Sequence, residues 1–244
     1  MTDNSALSVK NVSKKFGGLL AVEEVSFEID EHQVMGIIGP NGSGKTTMLN
    51  LISGMLKLSS GQIEFFGNEI SNKSTNHISR RGIARTFQLV RILPSMTVGE
   101  NISAGGVFGH RRYWGKDLSK RTAYVLEQVG LSGKGDIPVV TMTYIDQKRV
   151  ELARALISDP KILLLDEWLA GLNPAEMKIG IDLIQQLRFE GRTIVIVEHH
   201  MEAIRILADQ CVVMNSGIKI AEGTPDEVLS NADVVRAYLG VENA

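Results

Sequence analysis

The segment "GPNGSGKTT" follows the apolar run "VMGII" and precedes a stretch with apolar residues at helical spacing. From Gly39 to Thr46 it fits G-x-x-x-x-G-K-[ST], a loop that works only between a buried strand and a helix start. The residue types follow from anion chemistry. Gly39, Gly42 and Gly44 let the backbone wrap a phosphate without Cβ clashes and turn its N–H groups inward. The helix after them presents its positive end to the same anion. Lys45 supplies a point charge for the β- and γ-phosphates, and the Thr46 hydroxyl is a candidate ligand for Mg²⁺. The stretch Gly39, Pro40, Asn41, Gly42, Ser43, Gly44, Lys45, Thr46 and Thr47 is therefore the candidate nucleotide cradle. A ligand-free glycine turn into a helix is the competing reading.

The rest of the chain supplies a setting for such a loop. "LSVKNV" and "VSFEI" alternate, with Val25, Phe27 and Ile29 on one face, and "QIEFF" closes on the turn "GNE"; these read as antiparallel strands. "KILLLD" and "TIVIVE" are continuous apolar runs like "VMGIIG", the mark of strands covered on both faces. The helical segment "PAEMKIGIDLIQQLRFEG" between them completes a βαβ rhythm. "CVVMNSGIKIAEG" reads as a hairpin about "NSG", followed by two short helices. Residues 89–157 break the rhythm with helical stretches joined by polar loops and no convincing strand. The expected fold is α/β: a P-loop NTPase core over residues 1–88 and 158–244, with a mixed parallel sheet and an N-terminal antiparallel β part. An α-helical subdomain is inserted at 89–157.

Composition narrows the partners. A chain of 244 residues buries a substantial core as one α/β domain or two small ones. A formal charge of −2 argues against a dedicated nucleic-acid binder. The single cysteine, Cys211 in "CVVM", rules out an internal disulfide and reads as a buried inert thiol. The polar start "MTDNSALSVKNVSKKF" has no leader pattern. No apolar run approaches the about 18 residues needed to span a bilayer. The chain is expected to be cytoplasmic and to reach a membrane only by docking onto a partner.

Three further elements carry chemistry. Asp166 and Glu167 stand just past a buried strand, where open α/β sheets bind ligands. Asp166 is then a direct or water-mediated partner of Mg²⁺, and Glu167 is placed to orient and polarise an attacking water. An Asp-Glu pair at a strand end is otherwise ordinary loop chemistry; the phosphate loop gives it a role. In "VEHH", His199 is the candidate to hydrogen-bond a γ-phosphate, against the reading of incidental histidines at a helix start. His200 lacks the short acceptor favoured at an N-cap. In "TMTYIDQKRVELARA", Val150, Ala153 and Ile157 give a helix from Gln147 onward, and Thr143 with Asp146 forms a [ST]-x-x-[DE] start. The residues alone leave open whether that start is only a cap or also a binding surface.

In order, "GPNGSGKTT", "RTFQ", "MTYID", "LLLDE", "LAGLNP" and "VEHH" resemble the motifs of the ATP-binding cassette (ABC) transporter ATPases, across essentially the whole chain. The resemblance implies ATP and Mg²⁺ as ligands and ATP hydrolysis coupled to transport as the activity. It gives Gln88 the role of the loop glutamine that approaches Mg²⁺. It makes Phe16, unaided a core residue, the ring that stacks on adenine. "MTYID" is similar to the family signature, usually Leu-Ser-Gly-Gly-Gln, so Thr143, Tyr144, Ile145 and Asp146 would face ATP bound by a second cassette subunit in a head-to-tail dimer. Cap and binding surface are then the same object. "FGGLLAVEEVSFEI", "DEWLAGLNP" and "AEGTPDEVLSNADVVRAYLG" look most like the branched-chain amino-acid importer type. That type implies two integral-membrane permease subunits, a second ATPase subunit (one of different sequence favoured over a second copy of this chain), a periplasmic or extracellular solute-binding protein acting indirectly, and a peripheral place on the inner face of the membrane.

Three positions depart from the family pattern. Trp168 replaces the proline that usually follows Asp-Glu, His200 replaces an aspartate, and Ile145 stands where glycine is strongly preferred. A β-branched side chain at 145 is expected to obstruct a phosphate approaching bare backbone and to slow hydrolysis at the site it serves. The rival readings are a non-transport cassette ATPase, of the DNA-repair or translation kind, and a nucleotide-binding subunit with one degenerate ATP site. The first usually carries a long coiled coil or two fused cassettes, neither seen here. Intact Lys45, Asp166, Glu167 and His199 argue against the second, while Ile145 argues for it.

Overall fold

In the computed structural model, which describes residues 5–239, the alternating N-terminal segments pair as antiparallel strands. β1 (Ser5–Phe16) lies between β2 (Leu19–Asp30) and β4 (Ser60–Phe65), with the short β5 (Asn68–Glu69) beyond β4. The chain forms two compact units, one running to Ile78 and resuming at Ile184, the other Ser79–Leu183.

The first unit also holds β3 (Val34–Ile38), flanked by β8 (Thr193–Val197) and β9 (Gln210–Asn215), both parallel to it. Every residue of β3 and β8 is buried, so their unbroken apolar runs reflect cover on both faces. Even the thiol and the glycine of this layer are explained by packing. A Cβ at Gly36 would lie 3.0 Å from Cys211 Sγ. Burial pushes the Cys211 thiol up to about 12, so it is an inert core group. β10 (Ile218–Gly223) returns antiparallel to β9 about the predicted turn. α1 (Lys45–Ile52) follows β3 and buries Met48, Leu49, Leu51 and Ile52. α7 (Met201–Leu207), α8 (Pro225–Ser230) and α9 (Ala232–Leu239) complete the unit. At α8, Thr224 and Glu227 form a reciprocal capping box. Gly240, the end of the tail that carries the importer resemblance, lies outside the described residues.

In the second unit β6 (Ile83–Arg85) runs parallel to β7 (Ile162–Asp166). α3 (Val98–Phe108), α4 (Gly115–Gln128) and α5 (Tyr144–Leu156) form its helical part. Thr97 and Glu100 cap α3 reciprocally. Gly105 lets α3 approach the end of α5, since a Cβ there would lie 2.3 Å from the Arg154 carbonyl oxygen. α2 (Thr75–Arg81) and α6 (Pro174–Phe189) span the two chain boundaries between the units. No helix among the described residues is long and apolar enough to cross a membrane.

Candidate functional site

The first unit builds the phosphate loop from the inside outward. Gly39, directly after β3, has φ +147°, and a Cβ there would lie 2.0 Å from the Met214 carbonyl oxygen. Only glycine fits. Gly44 has φ +104° and presses on β2, where a Cβ would come within 2.7 Å of the Ala21 carbonyl oxygen. The turn between β9 and β10 braces the loop from the other side. Gly217 N–H donates to the Ser43 carbonyl at 3.1 Å, and the Gly217 carbonyl accepts from Glu23 N–H at 2.8 Å. Lys45, buried at its base, donates from Nζ to the Gly39 and Pro40 carbonyls at 2.8 and 2.9 Å, which holds the ammonium at the loop. α1 starts at Lys45 with no acidic residue in its first turn, so its positive end is uncompensated by the helix itself. Thr46 is exposed there.

Two other predicted residues share that unit. Ile37 pairs with Val197 in the parallel register of β3 and β8, so Gly39 and His199 follow the same ends of adjacent strands. His199 is exposed, and His200 is the N-cap of α7 without a side-chain capping bond. Phe16 closes the β1–β2 hairpin opposite Leu19 and is 44% exposed, with the Lys14 ammonium 4.9 Å above its ring. A half-exposed ring at a hairpin tip suits stacking better than core packing.

The second unit gathers Gln88, Asp166 and Glu167. Asp166 ends β7, and its Oδ2 accepts from Arg85 at 2.7 Å in a pair whose side chains are only 6% and 4% exposed. Asp166 Oδ1 is buried and accepts no hydrogen bond among the described residues. One oxygen is thus fixed by the Arg85 guanidinium. Glu167 is next, with the backbone in the left-handed region at φ +47°. Its Oε2 accepts from Gln88 Nε2 at 2.6 Å. A non-glycine residue at such a φ marks a site where geometry is held against local preference. The loop after Gln88 is pinned to α5: Arg91 N–H donates to Glu151 Oε1 at 3.0 Å, and the Arg91 carbonyl accepts from Arg154. Burial pushes the Glu151 carboxyl above the usual carboxylate range.

The segment that resembles the signature lies at the start of α5. Thr143 is its N-cap, and the hydroxyl oxygen accepts from Asp146 N–H at 3.4 Å. Only half of a capping box forms, because the Asp146 carboxylate is taken by Lys134 at 2.9 Å and Arg149 at 3.0 Å. The Ile145 side chain, expected to stand in the path of a phosphate, is packed inward. Ile145 is only 7% exposed and belongs to the core. The signal was available in the sequence: Ile145, Leu152 and Leu156 recur at i, i+7 and i+11, one helical face. Tyr144 is outward and packs against Gly171, where a Cβ would lie 3.4 Å from its ring.

Arg85 is the residue that reading the sequence missed. It sits inside "RTFQ", but its partner lies 81 positions away, across the β6–β7 pair. A charge in a three-residue strand facing "LLLD" was the available signal.

A glycine-built phosphate loop before a helix, a strand-end Asp-Glu pair touched by a loop glutamine, and a capped signature helix are the parts of an ATP-binding cassette. The chain belongs to the ABC transporter family, which it matches over residues 22–170. Residues 219–244 match the branched-chain amino acid ATP-binding cassette transporter family. It is 39% identical to the high-affinity branched-chain amino acid transport ATP-binding protein LivG of Escherichia coli (strain K12), covering 96% of this chain and 97% of that protein. Identity to BraF of Pseudomonas aeruginosa, a protein of the same description, is 38% at the same coverage. Among solved structures, MJ1267, an ATP-binding cassette of an ABC transporter, in its ADP conformation superposes with a TM-score of 0.88 at 32% identity. That match covers 97% of this chain and 99% of the other. This chain is an ATP-binding cassette ATPase.

Proposed function

We propose that the chain is the ATP-hydrolysing subunit of an importer for branched-chain amino acids. The observation that carries this reading is the end-to-end likeness to LivG, joined to the match of residues 219–244. The subunit works on the inner face of the cell membrane beneath two permease subunits, which receive solute from a separate binding protein. It pairs head to tail with a second cassette of different sequence, as the importer resemblance implies. No nucleic acid takes part.

Each residue has a task in this account. The loop amides from Gly39 to Thr47 and Lys45 hold the ATP phosphates, and Phe16 stacks on adenine. Mg²⁺, when bound, neutralises charge on the β- and γ-phosphate oxygens. Thr46, Asp166 and Gln88 are the residues that would hold it, and the orphaned Asp166 Oδ1 fits that role. No cage of three or more acidic, histidine or cysteine side chains exists among the described residues. Magnesium needs only one or two protein oxygens beside phosphates and water. Glu167 orients and polarises the attacking water, and His199 hydrogen-bonds the γ-phosphate. Thr143 to Asp146 complete the second subunit's site, with the Thr143 hydroxyl and first-turn amides facing its γ-phosphate.

Residues 89–157 act as the helical subdomain that meets the permeases. The segment "LVRILP" from Leu89 to Pro94 supports this, since Leu89 is 79% exposed and Leu93 is also exposed. These two side chains supply the apolar part of the docking contact in this account. Leu89→Asp is expected to lower transport more than tenfold while the ATPase rate of the isolated subunit falls less than twofold. Undiminished uptake in the reconstituted complex would place the docking surface elsewhere.

The inward packing of Ile145 sets a second expectation. Ile145→Gly removes a buried side chain from the first turn of α5 and should cost about 3 kcal/mol of stability. The ATPase rate per folded molecule should change less than twofold. A severalfold rise in that rate would show instead that isoleucine obstructs the signature, and would make this chain the degenerate half of an asymmetric pair.

A further inference from the structure

Trp168 stands where the family usually has proline, and it is the largest of the fully buried side chains. Its indole Nε1–H donates to the Lys148 carbonyl at 3.4 Å, a long hydrogen bond to the second turn of α5. The ring also rests against α6, where a Cβ at Gly180 would lie 3.0 Å from it. The residue before it is Glu167, whose left-handed backbone is closed into a turn by Ala170 N–H donating to the Glu167 carbonyl at 3.0 Å. Three residues beyond Trp168, Gly171 at φ +77° lies under the Tyr144 ring of the signature. The Lys148 ammonium is 5.2 Å from the centre of that same ring. The turn carrying Glu167 is therefore tied to α5 by the indole hydrogen bond, with Gly171 lying close to the Tyr144 ring.

We propose that Trp168 is a positioning residue for ATP hydrolysis: its indole anchors the Glu167 turn to α5 through the Lys148 carbonyl. A glutamate does not hold a left-handed conformation by its own preference, so neighbouring contacts must hold it. Proline would restrict the chain through its ring and would offer no donor; tryptophan restricts it by an anchor on another element. The inference rests on the reading of Glu167 as the residue that polarises water.

The test is Trp168→Phe, alone and combined with Glu167→Gln, in the otherwise native protein. Loss of one anchoring hydrogen bond is expected to lower kcat about fivefold to tenfold, with KM for ATP and the ATP dissociation constant within twofold of wild type. In the Glu167→Gln background the same change should cause no further loss, because it acts through that carboxylate. Unchanged kcat with a lowered Tm would overturn the proposal, as would a multiplicative loss in the double variant. If Trp168→Phe does not fold, Trp168 can be replaced by benzothienylalanine in protein that also carries Trp114→Phe. The chain has two tryptophans, and Trp114 is 65% exposed, so the label then reports position 168 alone. This analogue keeps the ring volume and lacks the N–H, and the same loss in kcat is expected. Wild-type kcat in that protein would refute the anchor. Should Glu167→Gln itself retain wild-type turnover, the fault lies with the role of Glu167.

Discussion

Glu167→Gln is expected to bind ATP as tightly as the wild type and to hydrolyse it about 10²–10⁴-fold more slowly, the usual cost of removing one well-placed acid–base group. The substitution changes little in shape, since both side chains reach equally far. It changes what the turn presents: a carboxylate held at φ +47° and touched by Gln88 becomes a neutral amide. A carboxylate can draw a proton from an attacking water, and an amide cannot. ATP should then accumulate unhydrolysed, and the head-to-tail dimer should persist because nothing dissolves it. Single-turnover hydrolysis together with sizing in the presence of ATP measures both effects. Retention of more than about a tenth of wild-type turnover would remove Glu167 from this role.

Lys45→Ala should act one step earlier. The ammonium is the one side-chain charge that the loop itself carries, and it is held in place by the Gly39 and Pro40 carbonyls. Charge-assisted hydrogen bonds to phosphate oxygens contribute about 1.5–3 kcal/mol each, so ATP binding should weaken by roughly 10–100-fold. Most of that loss should be shared by ADP, because a phosphate-loop lysine is expected to reach the β-phosphate too. Removing the lysine also leaves two carbonyls without a donor at the base of the loop, so a modest drop in Tm should accompany the loss. Calorimetric titration with each nucleotide separates the two effects. Equal affinity for ATP in the variant and the wild type would mean that the backbone amides alone hold the phosphates.

What could be read from the sequence was whatever depends on neighbours in the chain. The phosphate loop is a local motif, although its glycines at 39 and 44 press on the distant Met214 and Ala21 carbonyls. The β9–β10 hairpin and the Thr143 cap were legible for the same reason: a turn dipeptide and a short acceptor act within a few residues. Pairings between distant residues were not legible. Nothing near Arg85 announces Asp166, and nothing near Trp168 announces the Lys148 carbonyl. β6 was missed because three residues are too few for a period to register. Asp146 looked like half of a capping box, yet two cations compete for its carboxylate and win. The inward packing of Ile145 was legible from the helical face that it shares with Leu152 and Leu156.

The central claim is that ATP hydrolysis by this chain drives branched-chain amino acids across a membrane. Its most direct test is uptake of radiolabelled leucine, isoleucine and valine into proteoliposomes. These would contain the chain, its second cassette and its two permeases, with the solute-binding protein supplied on the opposite side. Uptake that requires ATP and Mg²⁺ on the cassette side, and that disappears with Glu167→Gln, is the predicted result. Hydrolysis stimulated by a different solute with no uptake of any of the three amino acids, or uptake indifferent to Glu167→Gln, would contradict it.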